Sequence, residues 1–292
     1  MSEAAMKTGG CPICGSGDVR LLFQKDEINV CRCHACTFVF APAESVVAAR
    51  GTDEEFYSIN YFQGREGSGY ANYLETTPTL QANARALLQR LQRLSPPKDC
   101  LLEIGSGAGH FLQQASPLFE RVYGVEICAE ICLQPPSSNI RIFPVSVTDL
   151  RAEMLAVPPT VIALWDVIEH FQDVRASMKL LADLAAPGCH LVLTTGNIAS
   201  AYARFAGKNW RLMTPLEHYS YFAPLTITRL LEDIGFRVVA IKSPWKWVPL
   251  CLIVNQLERM GRLPSKTWKR VPPSWSIPLS LGDVMFVQAI KQ

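Results

Sequence analysis

The stretch Asp99–Leu112, DCLLEIGSGAGHFL, decides the fold. A short apolar run, Cys100 to Ile104, carries one acid, Glu103, and ends in Gly105, Gly107 and Gly109. A helix-compatible segment follows from His110. The pattern reads as a buried strand, a tight glycine turn and a helix N-terminus. Glycines at such a turn let the backbone approach a ligand closely, because no Cβ intervenes. Exposed amides at a helix start favour polar or anionic ligand groups.

The spacing separates two cofactor classes. A dinucleotide fingerprint requires G-x-G-x-x-G, whereas here the sixth position is His110 and the run is G-x-G-x-G. The next apolar stretch, Val122 to Glu126, ends in an acid, and a carboxylate at that strand end can accept both ribose hydroxyls of a nucleoside. Further strands are expected at Ile140–Val145, Val161–Trp165, His190–Thr195, Arg237–Ile241 and Asp283–Ile290, with helices near His110–Phe119, Val174–Leu184 and Pro224–Ile234. This alternation implies a parallel α/β sheet. Ligands of open α/β sheets sit beyond the carboxyl ends of the strands. That edge collects Glu103, Gly105, Glu126, Asp149, Trp165, Asp166 and Asn197.

Glu103, the glycine turn and Glu126 together resemble the S-adenosylmethionine site of class I methyltransferases. The resemblance extends to ALWDVIEHFQDV, Ala163 to Val174, where an acid and an apolar residue after the fourth strand flank the cofactor, and where Glu169 and His170 match a recurring Glu-His. The stretch LVLTTGNIASAYARFAGKNWRLMTPLEHYSYFAPLTITRLLEDIGF, Leu191 to Phe236, is similar to bacterial small-molecule and glycan-cluster methyltransferases. Many of those relatives carry Pro-Asn where this chain has Gly196-Asn197. The resemblance implies a Rossmann-like sheet of seven strands, the seventh inserted antiparallel. It implies a cofactor site built from Glu103, Gly105, Gly107, Gly109, Glu126, Asp149, Trp165 and Asp166. Sugar C-methyltransferases that resemble this chain use a Glu-His pair near the substrate, which points to Glu217 and His218, with His218 as base. Histidine suits proton acceptance near neutral pH. The competing reading is that His218 orders the loop before the last helix. His170 is a possible wall residue, and His34, His110 and His190 read as structural or surface groups.

Before this sheet lie two further segments. Cys11 and Cys14 in CPICG and Cys33 and Cys36 in CRCHAC form two C-x-x-C pairs around a hairpin expected at Val19–Phe23 and Glu27–Cys31. Two such pairs supply the tetrahedral thiolate set of a structural zinc ribbon, with Cys31 and His34 as spare candidates and free thiols as the alternative. So small a segment can hardly build its own core, so the metal would supply its folding energy. Residues 46–97 form an arm rich in aromatic residues: Phe56, Tyr57, Tyr61, Phe62, Tyr70 and Tyr73, broken by Gly64, Gly67 and Gly69. It ends in an amphipathic helix over Thr79–Leu94, stopped by Pro96 and Pro97. The domains expected are thus a ribbon over 1–45, the arm over 46–97 and a methyltransferase domain over 98–292.

The chain has 292 residues, 49% hydrophobic and 18% charged, so a sizeable core can form. A net charge of +2 argues against a dominant nucleic-acid partner. The N-terminus MSEAAMKTGG shows no apolar signal segment, and Val248–Val254 is too short to span a bilayer. A cytoplasmic setting is expected, where the ten cysteines would stay reduced. An insertion over 243–280 holds Trp245, Trp247, Trp268 and Trp275, with Lys246, Arg259, Arg262, Lys266, Lys269 and Arg270 against one acid, Glu258. It reads as a substrate lid with a helix over Val248–Met260. The same composition would also suit a lipid phosphate, a membrane surface, a nucleotide-sugar or RNA. The leading reading is methyl transfer from S-adenosylmethionine to a small-molecule acceptor, a sugar or glycan-pathway intermediate. The alternatives are an RNA or protein methyltransferase that docks through the ribbon and insertion, and a binding module that has kept the fold.

Overall fold

The computed structural model describes residues 9–63, 76–132, 137–259, 262–264, 267–272 and 274–292. Gly64, Gly67, Gly69, Tyr70, Tyr73, Met260 and Lys266 lie outside the described residues. The chain opens with an antiparallel hairpin, β1 (Val19–Lys25) and β2 (Ile28–Cys33). Its two-residue loop, Asp26 and Glu27, takes φ values of 52° and 62°. Two left-handed residues in succession give the turn whose twist matches that of the flanking strands. β3 (Val39–Phe40) pairs with the other edge of β2. Three short helices follow, α1 (Ala43–Arg50), α2 (Asp53–Phe56) and α3 (Ile59–Phe62), then α4 (Thr77–Gln92). A capping box starts α2: Glu55 N donates to Thr52 Oγ1 at 3.3 Å, and Thr52 N donates to Glu55 Oε2 at 2.8 Å.

The main sheet then unfolds in order: β4 (Cys100–Ile104), α5 (His110–Ala115), β5 (Arg121–Val125), β6 (Ile140–Phe143), β7 (Val161–Trp165), α6 (Val174–Leu184) and β8 (His190–Gly196). It continues through α7 (Ala201–Ala206), β9 (Ser220–Tyr221), α8 (Pro224–Asp233), β10 (Phe236–Lys242), β11 (Lys246–Pro249), α9 (Leu250–Arg259), β12 (Ser276–Leu279) and β13 (Val284–Lys291). Seven strands pair in the order β10-β13-β8-β7-β4-β5-β6. β13 is antiparallel to both neighbours, and β8, β7, β4, β5 and β6 run parallel. This is the Rossmann-like seven-stranded sheet expected from the alternation of apolar runs. One face packs on α4 and α5 through Leu87, Leu91, Phe111 and Leu112, and the other on α6 and α8 through Met178, Leu181, Ile227 and Leu231.

Prolines decide where elements stop. α5 yields to a 3₁₀ turn at Ser116–Leu118, short of Phe119, because Pro117 cannot donate a helical hydrogen bond. β6 ends at Phe143, before Pro144, two residues earlier than the alternation suggests. Within the insertion, the helix does not begin at Val248. Lys246–Pro249 instead pairs with Ser276–Leu279, and α9 begins at Leu250. Among the described residues, no helix is long and apolar enough to cross a membrane.

A second sheet ties the cysteine-rich hairpin to the main body. Its order is β1-β2-β3-β9, with Val39 opposite Tyr221 and Phe40 opposite Ser220. Phe38 is fully buried; it stacks on Phe40 and meets Phe222 at a tilt, with ring centroids 5.3 Å apart. Arg175 of α6 donates to the Ile13 carbonyl at 2.6 Å. The ribbon is therefore built into the loop that precedes α8.

Candidate active site

The glycine turn closes directly on the second strand. Gly105 N and Ser106 N both donate to Val125 O, at 2.8 and 3.1 Å. Gly105 has φ 70°, and a Cβ there would stand 2.4 Å from Val167 Cγ2, so only glycine fits. Glu126 follows β5 and is 5% exposed. Its Oε2 accepts from Gly107 N at 2.8 Å and its Oε1 from Cys128 N at 3.0 Å. Burial pushes its carboxyl up, and these amides work in the opposite direction. Glu103 lies beneath the turn, 3% exposed, and its Oε2 has no hydrogen-bond partner among the described residues. Burial, reinforced by Glu126, holds its carboxyl well above the usual carboxylate range.

A cavity of about 1100 Å³ opens at these strand ends. Gly105, Gly107, Glu126, Trp165, Asp166 and His170 line it, together with Val145–Thr148 after β6 and Tyr57, Tyr61 and Phe62 of the arm. Trp165 meets Phe111 edge-on at 5.0 Å and stacks on Phe286 at 6.2 Å. Asp166 takes a left-handed φ of 56°. It accepts from Thr194 Oγ1 at 2.9 Å and pairs with Lys246 of β11. Desolvation works to raise its carboxyl, but Lys246 prevails and the net shift is downward. Among the six basic residues of the insertion, Lys246 is thus engaged at the cavity.

Beyond β7, a 3₁₀ turn at Ile168–His170 brings His170 to the cavity wall, with Glu169 buried beside it. His218 joins them from the loop before β9: Tyr219 N donates to Glu169 O at 2.9 Å, and the two imidazole rings stand 4.7 Å apart. His218 Nδ1 lies 2.9 Å from Leu212 O, and His170 Nδ1 2.9 Å from Glu217 O. A carbonyl only accepts, so these contacts place hydrogen on Nδ1 and leave Nε2 its lone pair; His170 Nδ1 also lies 2.7 Å from Tyr57 OH, a group that can accept as well as donate. Tyr57 OH reaches the same Glu217 carbonyl at 3.0 Å. Thr195 Oγ1 donates to Glu169 Oε2 at 2.9 Å. Burial, with the charge of Asp166 second, raises the Glu169 carboxyl to about 8. Burial lowers both histidines to about 4. Both rings are therefore neutral at pH 7.

The arm is clamped over this cluster. Arg50 Nη2 bonds Asp53 Oδ1 at 2.6 Å and Tyr219 OH at 3.0 Å. Tyr219 OH donates to Asp53 Oδ1 at 2.8 Å. The guanidinium lies 4.2 Å from the Phe56 ring centroid. These contacts hold Tyr57 against His170, with ring centroids 5.5 Å apart.

The four knuckle cysteines meet at the far end of the ribbon. Cys11 Sγ and Cys36 Sγ are 3.5 Å apart, and Cys14 Sγ and Cys33 Sγ 3.6 Å. All four sulfurs lie within 4.8 Å of one another. Zinc–sulfur bonds of about 2.3 Å arranged tetrahedrally place sulfurs about 3.8 Å apart. A disulfide needs about 2.05 Å, and all four thiols are free. The knuckles share one geometry: Gly15 N donates to Cys11 O and Thr37 N to Cys33 O, both at 2.9 Å, with left-handed φ of 70° at Gly15 and 64° at Thr37. Cys31 is buried in β2 and His34 is exposed; neither belongs to the cluster.

Of the residues singled out in the sequence, the structure gathers Gly105, Gly107, Glu126, Trp165 and Asp166 around one cavity. Gly109 instead caps α5. Asp149 is exposed at the end of a 3₁₀ turn, and its neighbours Val147 and Thr148 face the cavity. Glu217 contributes its backbone carbonyl to His170, and the acid beside the two rings is Glu169. Gly196 faces the Trp210 ring: a Cβ would meet Cη2 at 2.9 Å.

A family model described as a methyltransferase domain matches residues 79–241. Among curated proteins, none matches this sequence. Of solved structures, the chain is similar to magnesium protoporphyrin IX methyltransferase from Synechocystis PCC 6803 with bound SAH. The two share 14% identity at a TM-score of 0.50, over 80% of this chain and 94% of that one. It is also similar to the plantazolicin methyltransferase in complex with SAH, at 14% identity and a TM-score of 0.51, over 86% of this chain and 95% of that one. At such identities the likeness shows the fold alone. The family match spans more than half of the sequence and contains the glycine turn, Glu126 and the Glu169–His170–His218 cluster, so the chain belongs to the S-adenosylmethionine-dependent class I methyltransferases.

Proposed function

We propose that this chain transfers a methyl group from S-adenosylmethionine to a small polyhydroxylated acceptor, a sugar or another intermediate of glycan assembly. The observation that carries the reading is one cavity lined by the glycine turn, by Glu126 and by His170. The cofactor supplies a methyl group activated on a sulfonium, and transfer to an acceptor depends on positioning. The chain offers a fitting cradle. Gly105 and Gly107 line the cavity with backbone alone, and a Cβ at Gly105 would strike Val167. Glu126, fixed by two backbone amides, keeps lone pairs for the ribose hydroxyls. The partnerless Glu103 Oε2 suits the amino-acid end, and Trp165 with Val145 and Val147 gives the apolar wall.

His218 takes the proton that the acceptor releases, through Nε2, because Leu212 O occupies Nδ1–H. Glu217 acts through its carbonyl, which orients His170 and Tyr57. The hydroxyl-bearing wall of Tyr57, Thr52, Tyr219 and Ser220 supports a polyhydroxylated acceptor. Fold alone does not choose the acceptor. Zinc in the four-cysteine cluster braces the ribbon and, through β3 and β9, the loop that carries His218. Ten cysteines outside any disulfide are in keeping with a cytoplasmic setting. The 243–280 insertion, joined to Asp166 through Lys246, acts as a lid on this reading rather than as a nucleic-acid surface, and its exposed Trp245 and Trp275 leave room for contact with a lipid-linked acceptor.

The test is label transfer from methyl-labelled S-adenosylmethionine to a panel of nucleotide-sugars and lipid-linked sugars. His218→Gln should cut turnover by orders of magnitude while leaving cofactor affinity unchanged. Undiminished turnover would remove His218 as base.

A further inference from the structure

We propose that Glu169, His170 and His218 form a second metal site, a set of two imidazoles and one carboxylate for a divalent first-row transition-metal ion. A carboxylate oxygen of Glu169 and one ring nitrogen of each histidine lie within 4.8 Å of one another. Ligand atoms about 2.0–2.2 Å from an ion stand about 3.0–3.5 Å apart, so modest side-chain rotation closes the set. Two imidazoles and one carboxylate match the ligand triad that leaves coordination positions open.

The surroundings are those of a ligand set. A metal-binding histidine donates its other ring N–H to a carbonyl or carboxylate. Here His218 Nδ1 lies 2.9 Å from Leu212 O, and His170 Nδ1 lies 2.9 Å from Glu217 O and 2.7 Å from Tyr57 OH; with Nδ1 protonated in both rings, Nε2 is the donor atom. Glu169 is oriented by Thr195 Oγ1, which donates to its Oε2 at 2.9 Å. The two chain segments that carry the ligands are themselves joined, Tyr219 N to Glu169 O at 2.9 Å. Two nitrogens and one oxygen favour zinc, iron(II), cobalt(II), nickel(II) or manganese(II) over magnesium or calcium, which take oxygen ligands.

Binding of the ion does not depend on the methyl-transfer reading; its role does. His170 lines the cavity, so the open positions adjoin the acceptor space. An acceptor with two adjacent hydroxyls suits such an ion, which lowers the pKa of a bound hydroxyl. His218 is then a ligand, and the ion replaces its action as base.

The test is metal content by mass spectrometry, and cobalt(II) titration, on the full chain without cofactor. Two equivalents are expected, one with thiolate-to-metal charge transfer from the cysteine cluster and one without. Glu169→Gln and His218→Gln should each lose the second equivalent and keep the first, which also reports that the variant is folded. A single thiolate-bound equivalent in the wild-type chain, or two in His218→Gln, would overturn the proposal. S-adenosylmethionine titration on the same samples separates the two readings. Cofactor binding without a second metal sinks only the metal site, and a second metal without cofactor binding sinks only the methyl-transfer assignment.

Discussion

Arg50→Met tests how the arm is fastened over the site. The Arg50 side chain is 3% exposed and bridges Asp53 and Tyr219, which directly follows His218 in the chain. Methionine fills a similar volume but leaves the Asp53 carboxylate, 22% exposed, with Tyr219 OH as its remaining side-chain partner. Removing one partner of a buried ion pair costs about 3–5 kcal/mol. Partial water access to Asp53 places the loss at the lower end, about 3 kcal/mol. For a chain of this size that corresponds to a fall in Tm on the order of 5–10 °C. Urea and thermal unfolding would read it. The companion Asp53→Asn and the double variant close a cycle whose coupling should exceed about 1.5 kcal/mol. A loss under about 1 kcal/mol, or additive single variants, would show that this network does not fasten the arm.

Two further substitutions probe the turn and the ribbon. Glu103 has a folded pKa raised by burial, so the native state holds its proton above pH 4.5 where the unfolded chain releases it. Stability from this group is complete at low pH and falls as pH rises towards the folded pKa, by up to about 1.4 kcal/mol per pH unit. Glu103→Gln removes that dependence, so the variant's advantage in urea melts of the cofactor-free protein should grow from pH 5 to pH 8; a constant difference would contradict the assignment. Thr37 is exposed and holds φ 64°, a strain of roughly 1–2 kcal/mol for a residue with a Cβ, offset in part by the entropy of glycine. Thr37→Gly should raise ribbon stability by about 0.5–1 kcal/mol in chemical unfolding, and a loss would show that the side chain matters to the knuckle.

How much of this was legible in the sequence depended on the range of the signal. Cys100–Ile104, Val161–Trp165 and Val174–Leu184 are long periodic runs, and the structure starts and ends them where the pattern does. The glycine turn and the paired C-x-x-C motifs are short-range signals tied to backbone geometry, so their residues could be named in advance. The β3–β9 pairing could not be read, because two-residue strands carry no period. Nor could the neighbours of His218. Sequence adjacency favours Glu217, but the hydrogen bond from Tyr219 N to Glu169 O brings Glu169 in from another strand end. Lys246 reads as one of six scattered basic residues until the β11–β12 hairpin carries it across to Asp166.

The central claim is that the cavity beside Glu126 holds S-adenosylmethionine. Calorimetric titration of the cofactor into the metal-loaded wild type and into Glu126→Gln tests it most directly. The account predicts saturable one-to-one binding by the wild type. It predicts about 10- to 100-fold weaker binding by the variant, the equivalent of about 1.4–2.7 kcal/mol for a lost charge-assisted hydrogen bond. Equal affinity in a folded Glu126→Gln chain, or no binding by the wild type, would contradict it.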